Sequence, residues 1–214
     1  MNTAAWQSVL AKAEAHLSKA DSKLRPVIRR YGPCALGLTR RDPFHVLCTS
    51  IISQQLSTKA ADTIRGRVQA RVGAKARLAP AHFIATEHQD LRACGLSNAK
   101  AKWLREIAGR VESGEFSFQK LVRLDDEAAI EMLDALPGIG RWSAEMYMMF
   151  ALRRLDIFAM DDVGLRRGVN RLYNGGRPLS DRRTLAITRP WAPYRSVASW
   201  FLWRLGDEAS GSWD

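Results

Sequence analysis

Leu136-Pro137-Gly138-Ile139-Gly140-Arg141 is the stretch that decides how the chain folds. Upstream, Ile130, Leu133 and Leu136 recur at three-residue spacing behind Asp125 and Asp126, the pattern of a helix whose positive end is capped by a carboxylate. Downstream, Trp142 to Leu152 predicts a second helix. Only a tight turn fits between them. Pro137 disfavours continuing the first helix, and the two glycines supply backbone angles closed to other residues. Such a turn offers the amides of Gly138, Ile139 and Gly140 and the start of the next helix to an anion, with Arg141 alongside, while Ile139 plugs the gap between the helices. An ordinary helix-turn-helix corner is the plainer alternative, and it needs less than an alternating Gly-Ile-Gly.

About twenty residues on, Ile157-Phe158-Ala159-Met160 leads to paired carboxylates, Asp161 and Asp162, where Val163-Gly164-Leu165-Arg166-Arg167 predicts a new helix. Both acids could be no more than helix caps. Earlier in the chain, Asp42-Pro43 predicts a helix start, with Phe44, Leu47, Cys48, Ile51 and Ile52 as its inner face. The pattern breaks at Ser53-Gln54-Gln55-Leu56-Ser57, and Ser57 can cap a further helix through Ala60, Ile64 and Val68. Gln54 and Gln55 therefore fall at a helix–helix junction, as a polar loop or as a protruding side chain. Gly95 to Lys102 leads into a helix with Trp103, Leu104, Ile107 and Val111 inside, and Lys100 and Lys102 belong either to a solvated face or to a phosphate contact. Trp6, Val9, Leu10, Ala13 and Leu17 stripe a first helix, and Pro26 to Tyr31 a second, stopping at Gly32. Ser180 opens a short helix, Val197, Ala198, Phe201, Leu202 and Leu205 form the last, and the tail from Asp207 is polar and expected to fray. No segment alternates long enough to predict a strand, so the fold class expected is all-α.

The 214 residues suffice for a buried core without disulfides. Lys and Arg exceed Asp and Glu by 33 to 22, a net charge of +11 that suits a polyanionic partner without choosing among nucleic acid, membrane and acidic protein. Cys34, Cys48 and Cys94 have no metal-ligand spacing, and His16, His45, His82 and His88 are expected at the surface or in packing. With no leader pattern and no apolar run of membrane-spanning length, a cytoplasmic location is the expectation.

The hairpin together with the downstream Asp pair resembles the helix-hairpin-helix DNA glycosylases, most closely the alkylbase branch of 3-methyladenine DNA glycosylase II type, along Asp42–Val68, Gly95–Lys102 and Pro193–Trp203 as well. The resemblance implies two helical lobes around a central base-binding groove: a wedge-bearing lobe of about 36–114, and a lobe of about 115–206 that holds the hairpin and the catalytic Asp together with residues 1–35. It implies that Asp162 is catalytic, with Asp161 as neighbouring support, helix cap or one-residue alternative. Gln55 would be the wedge that fills the gap left by an extruded nucleotide, and Trp142, Trp203 and Met146 would line the base pocket, although large aromatics on helices are commonly core. Gly138, Ile139, Gly140, Arg141 and Arg166, with Arg167 beside it, would hold phosphates, and the main-chain carbonyls of Asp134, Leu136 and Ile139 could hold a structural Na+ or K+. No Cys follows Cys94, so the iron–sulfur loop of some relatives is not expected, and neither is the extra N-terminal β domain of others.

The implied chemistry is hydrolysis of an N-glycosidic bond. As the base departs, positive charge develops on the sugar, and a carboxylate near the anomeric carbon stabilises it. Methylation at N3 or N7 makes a purine cationic and weakens the bond beforehand, so selection passes to electron-rich aromatic walls, each worth about 0.5–2 kcal/mol. Bifunctional relatives carry a Lys directly after the hairpin; Trp142 stands there, which implies an abasic product without a lyase step. The expected partner is double-stranded DNA with a damaged base, bound by a monomer in base excision repair. The alternatives are a non-catalytic helix-hairpin-helix DNA-binding module, or a glycosylase for deaminated or mismatched bases.

Overall fold

The computed structural model describes residues 2–39 and 42–207; the polar tail expected to fray lies beyond Asp207, outside the described residues. Among them, every regular element is helical. The chain packs as two compact units. A terminal unit combines residues 1–39 with 148–214, and a central unit comprises residues 40–147.

Helices α1 (Thr3–Ala20) and α2 (Leu24–Tyr31) open the terminal unit, and Trp6, Leu10, Ala13 and Leu17 form the buried face of α1. The central unit follows with α3 (Pro43–Ser53), α4 (Thr58–Arg71), α5 (Pro80–Ile84), α6 (His88–Ala93), α7 (Asn98–Glu112), α8 (Phe118–Arg123) and α9 (Asp126–Asp134). The starts are set by short polar side chains: Asp42, Ser57, Ser97, Ser117 and Asp125 each accept a hydrogen bond from the amide three residues on. On α7, Ala101, Leu104, Ile107 and Ala108 are fully buried, the spacing of a helix with one face inside the core. Phe44 meets Phe83 edge to face, with ring centroids 6.0 Å apart.

The unit boundary falls within α10 (Arg141–Phe150), after Tyr147. The terminal unit then resumes with α11 (Val163–Asn174), α12 (Asp181–Thr188), a single 3-10 turn at Arg189–Trp191 and α13 (Arg195–Asp207). Its core joins the α1 face to Leu165, Val169, Trp191, Phe201 and Leu202. Burying each such large side chain contributes about 1.5–3 kcal/mol. The α11–α13 seam is close enough that a Cβ on Gly168 would stand 2.5 Å from the carbonyl oxygen of Leu202. Asp21, between α1 and α2, accepts hydrogen bonds from Tyr173 Oη (2.6 Å), Trp191 Nε1 (2.9 Å) and the amides of Lys23 and Leu24.

The division differs from the lobes expected from sequence. The hairpin packs with the wedge segment in the central unit, because Gly138 rests on Trp103 and its carbonyl accepts from Gln54. Asp162 belongs to the terminal unit.

Candidate functional site

In the terminal unit, Asp162 is the N-cap of α11. Its Oδ1 accepts from the Leu165 amide at 2.6 Å and from the Trp203 indole Nε1 at 2.8 Å, and the residue is only 8 % exposed. Two donors on one oxygen leave the carboxylate a single setting, and the low-dielectric surroundings strengthen its action on any nearby positive charge. The approach to it is stitched down as well. Asp156 takes a bidentate pair from Arg195 (2.8 and 2.9 Å), and the buried Ser196 hydroxyl accepts from the Ile157 amide at 2.9 Å. Asp161 is exposed and does not cap α11, so the cap alternative for that residue is corrected: the acid that closes the helix is Asp162 itself. Gly164 makes room for this arrangement, since a Cβ there would stand 3.2 Å from the Trp203 ring and 3.3 Å from Asp162 Oδ1.

In the central unit, Leu136 to Arg141 forms the expected hairpin between α9 and α10. Gly138 lies at φ 79°, in the left-handed region, directly over the Trp103 ring. Ile139 is buried, as a plug should be, but its amide donates to Leu136 O at 3.2 Å. That internal bond corrects the expectation of three anion-facing amides and leaves Gly138 and Gly140 as the hairpin's candidate phosphate donors. Gln55 is exposed at the α3–α4 turn, with a left-handed backbone of φ 58° that is rare for a residue with a Cβ. Trp142, 47 % exposed, and Met146, half-buried, stand one turn apart on α10.

The all-helical frame agrees with the comparisons to known proteins. The sequence pattern of the HhH-GPD superfamily of base excision DNA repair proteins matches residues 48–193. The chain belongs to this HhH-GPD superfamily. It is 31% identical over 198 residues to DNA-3-methyladenine glycosylase 1 of Schizosaccharomyces pombe, covering 91% of this chain and 87% of that protein. A crystal structure of the DNA-3-methyladenine glycosidase from Bacillus halodurans superposes with a TM-score of 0.80 at 38% identity, covering 89% of this chain and 87% of that one. The S. pombe 3-methyladenine DNA glycosylase Mag1, solved in complex with abasic DNA, gives a TM-score of 0.77 at 31% identity over 90% of this chain and 95% of that one.

In this HhH-GPD chain, two of the arginines expected on phosphates are engaged elsewhere. Arg141 makes a two-pronged pair with Glu127 (2.6 and 2.9 Å) and reaches Glu145 at 3.3 Å, and its hydrogen bonds, helped by its charge, hold the Glu127 carboxyl below its ordinary range. Arg166 binds Asp181 (2.6 Å) and the Leu179 carbonyl (3.2 Å), which fastens the start of α12 to α11. Without DNA, Arg166 ties α11 to α12 through an exposed Asp181, and the Arg141–Glu127 pair is exposed on both sides; exposed pairs of this kind are weak and exchangeable. Trp203 also departs from a simple pocket wall, because its indole N–H is spent on Asp162. Its ring is stacked with Phe150, centroids 5.8 Å apart and planes at 27°. Phe150, 43 % exposed, was not foreseen. The signal was present: Trp142, Met146 and Phe150 recur every four residues along α10.

Proposed function

We propose that the protein is a monofunctional DNA glycosylase that hydrolyses the N-glycosidic bond of alkylated purines, of the 3-methyladenine and 7-methylguanine kind, in duplex DNA. The single observation that carries this is Asp162: a nearly buried carboxylate fixed by an amide and an indole at the mouth of α11, in a chain of the base excision repair superfamily. In the reaction the bond between the sugar's anomeric carbon and the base nitrogen breaks, and its electron pair leaves with the base and neutralises the methylated ring. The Asp162 carboxylate stabilises the cationic sugar and orients the water whose oxygen bonds to that carbon; the water's proton passes to the carboxylate or to solvent. Trp142 provides an aromatic face for a cationic base, with Met146 as a polarizable neighbour, and Trp142 in place of an amine leaves no Schiff base to form. Gln55 fills the gap left in the duplex, and Gly138, Gly140 and Arg141 hold the strand's phosphates, Arg141 by exchanging Glu127 for phosphate.

The carbonyls of Asp134, Leu136 and Ile139 are the hairpin oxygens that would hold a hard monovalent cation: Asp134 and Leu136 stand at and just past the negative C-terminal end of α9, and Leu136 O, which already accepts from Ile139, retains a second lone pair. An ion held by these carbonyls would add positive charge at the hairpin and do no chemistry. Incubation with methylated duplex DNA should release 3-methyladenine or 7-methylguanine, read by chromatography. Asp162→Asn, which retains a capping oxygen, should lower release by on the order of 10²-fold or more while DNA binding persists. Intact methylated bases after prolonged incubation with the unaltered protein would remove the assignment.

A further inference from the structure

Between Ser53, where α3 ends, and Thr58, where α4 begins, the chain reverses through Gln54, Gln55, Leu56 and Ser57. A turn that needs a left-handed residue commonly takes Gly or Asn, because a Cβ at positive φ costs about 1–2 kcal/mol. Gln55 occupies that position at φ 58°, its side chain exposed beside Leu56, which is 38 % exposed. Strain of this kind persists only where neighbouring groups fix it.

Here it is fixed from two sides. Lys100, in the first turn of α7, extends its Nζ to the carbonyls of Ile52 (2.9 Å) and Gln54 (2.6 Å). The ammonium thus closes the C-terminal end of α3, where a helix leaves its carbonyls unsatisfied and negative. Partial burial pushes the Lys100 pKa below its ordinary value, a cost accepted for that contact. From the same turn, Gln54 Nε2 donates to Gly138 O at 2.8 Å, so the amide next to the strained residue is bonded to the hairpin. Trp103, three residues after Lys100 and on the same face of α7, lies under Gly138; a Cβ there would be 2.3 Å from a ring carbon. One helix face therefore supports both turns, and Gln54 spans the space between them.

We propose that Lys100 and Gln54 are positioning residues for Gln55. They hold its strained turn at a fixed setting against the hairpin, so that the side chain entering the duplex and the backbone gripping the strand advance as one piece. This rests on Gln55 being the inserted residue. Lys100 thereby serves neither a solvated face nor a phosphate, the two roles its sequence context allowed.

The test compares Lys100→Met and Gln54→Leu with Gln55→Ala, using 7-methylguanine paired with cytosine and the same lesion opposite an abasic gap, where extrusion is easier. Each positioning variant should lose about tenfold or more in single-turnover excision from the paired duplex and far less from the gapped one. Combined with Gln55→Ala, each should add little further loss, the non-additivity of groups that act through one another. Circular dichroism melts identify a variant that fails to fold, and the other then decides. Equal losses on both substrates, no loss on either, or losses that simply multiply with Gln55→Ala would overturn the proposal. Should the unaltered protein excise nothing, the glycosylase assignment fails, and 2-aminopurine emission from a bound duplex still reads extrusion. An increase with the unaltered protein that Lys100→Met and Gln54→Leu abolish supports positioning, and an increase they leave intact refutes it.

Discussion

Under the proposed function, the hairpin of the central unit and the Asp162 corner of the terminal unit are set different problems and meet them by different means. At the hairpin the working groups are backbone. Gly138 is needed for its φ of 79° and its contact with Trp103, and the side chain that fills the turn, Ile139, is buried away from solvent. At Asp162 the working group is one side chain, and the backbone serves by bringing helices near: Gly164 and Gly168, a turn apart on α11, let α13 approach until Trp203 reaches the carboxylate. A gripping surface must accept any sequence, so it uses atoms common to every residue. A reacting centre must place one charge, so it spends specific donors on it.

Adding a methyl to each side is the strongest way to break this contrast. Gly138→Ala combines a disfavoured backbone angle with a 2.3 Å clash and should cost about 3 kcal/mol or more, with DNA binding lost along with stability. Gly168→Ala meets the Leu202 carbonyl at 2.5 Å and should cost about 1–3 kcal/mol, lowering excision through Asp162 while leaving affinity for undamaged DNA within about twofold. Urea unfolding and filter binding on both variants check the pair; equal loss of affinity in the two would erase the distinction. Trp203→Phe sharpens the second half, because it keeps a stacking ring for Phe150 and removes only the N–H. It should lower kcat by about tenfold with KM little changed, and should add nothing on an Asp162→Asn background. A rise in KM at constant kcat would return Trp203 to the role of a pocket wall. The smallest effect is expected at Glu127→Gln, which frees Arg141 from its exposed partner. Affinity for duplex DNA should rise about threefold, with a steeper salt dependence, and a titration over salt concentration reads both.

What the sequence disclosed depended on the range over which the information acts. Asp42, Ser57, Ser97, Asp125 and Ser180 declare helix starts because a cap bonds only three residues ahead, and the stripes of α1 and α7 follow from 3.6-residue periodicity. Helices α5 and α8, at five and six residues, are too short to show a period and were missed. The hairpin and the Asp pair were legible as motifs. The partners that give them their properties were not: Trp203 lies 41 residues from Asp162, and Gln54 lies 84 from Gly138. The engagement of Arg141 and Arg166 was hidden for the same reason, since Glu127 and Asp181 are 14 and 15 residues away and nothing in a local pattern pairs them. The units differ from the lobes implied by the resemblance because Trp103 and Gln54, distant in sequence, bind the hairpin to the preceding segment.

Asp162 Oδ1 is at once the acceptor that starts α11 and part of the group assigned to the sugar. A substitution that discards the carboxylate for an apolar residue also strips the first turn of its cap, costing about 1 kcal/mol in a domain whose margin is small. Replacements that keep a capping oxygen, such as Asn or Ser in place of the carboxylate, would remove the proposed reagent while sparing the scaffold.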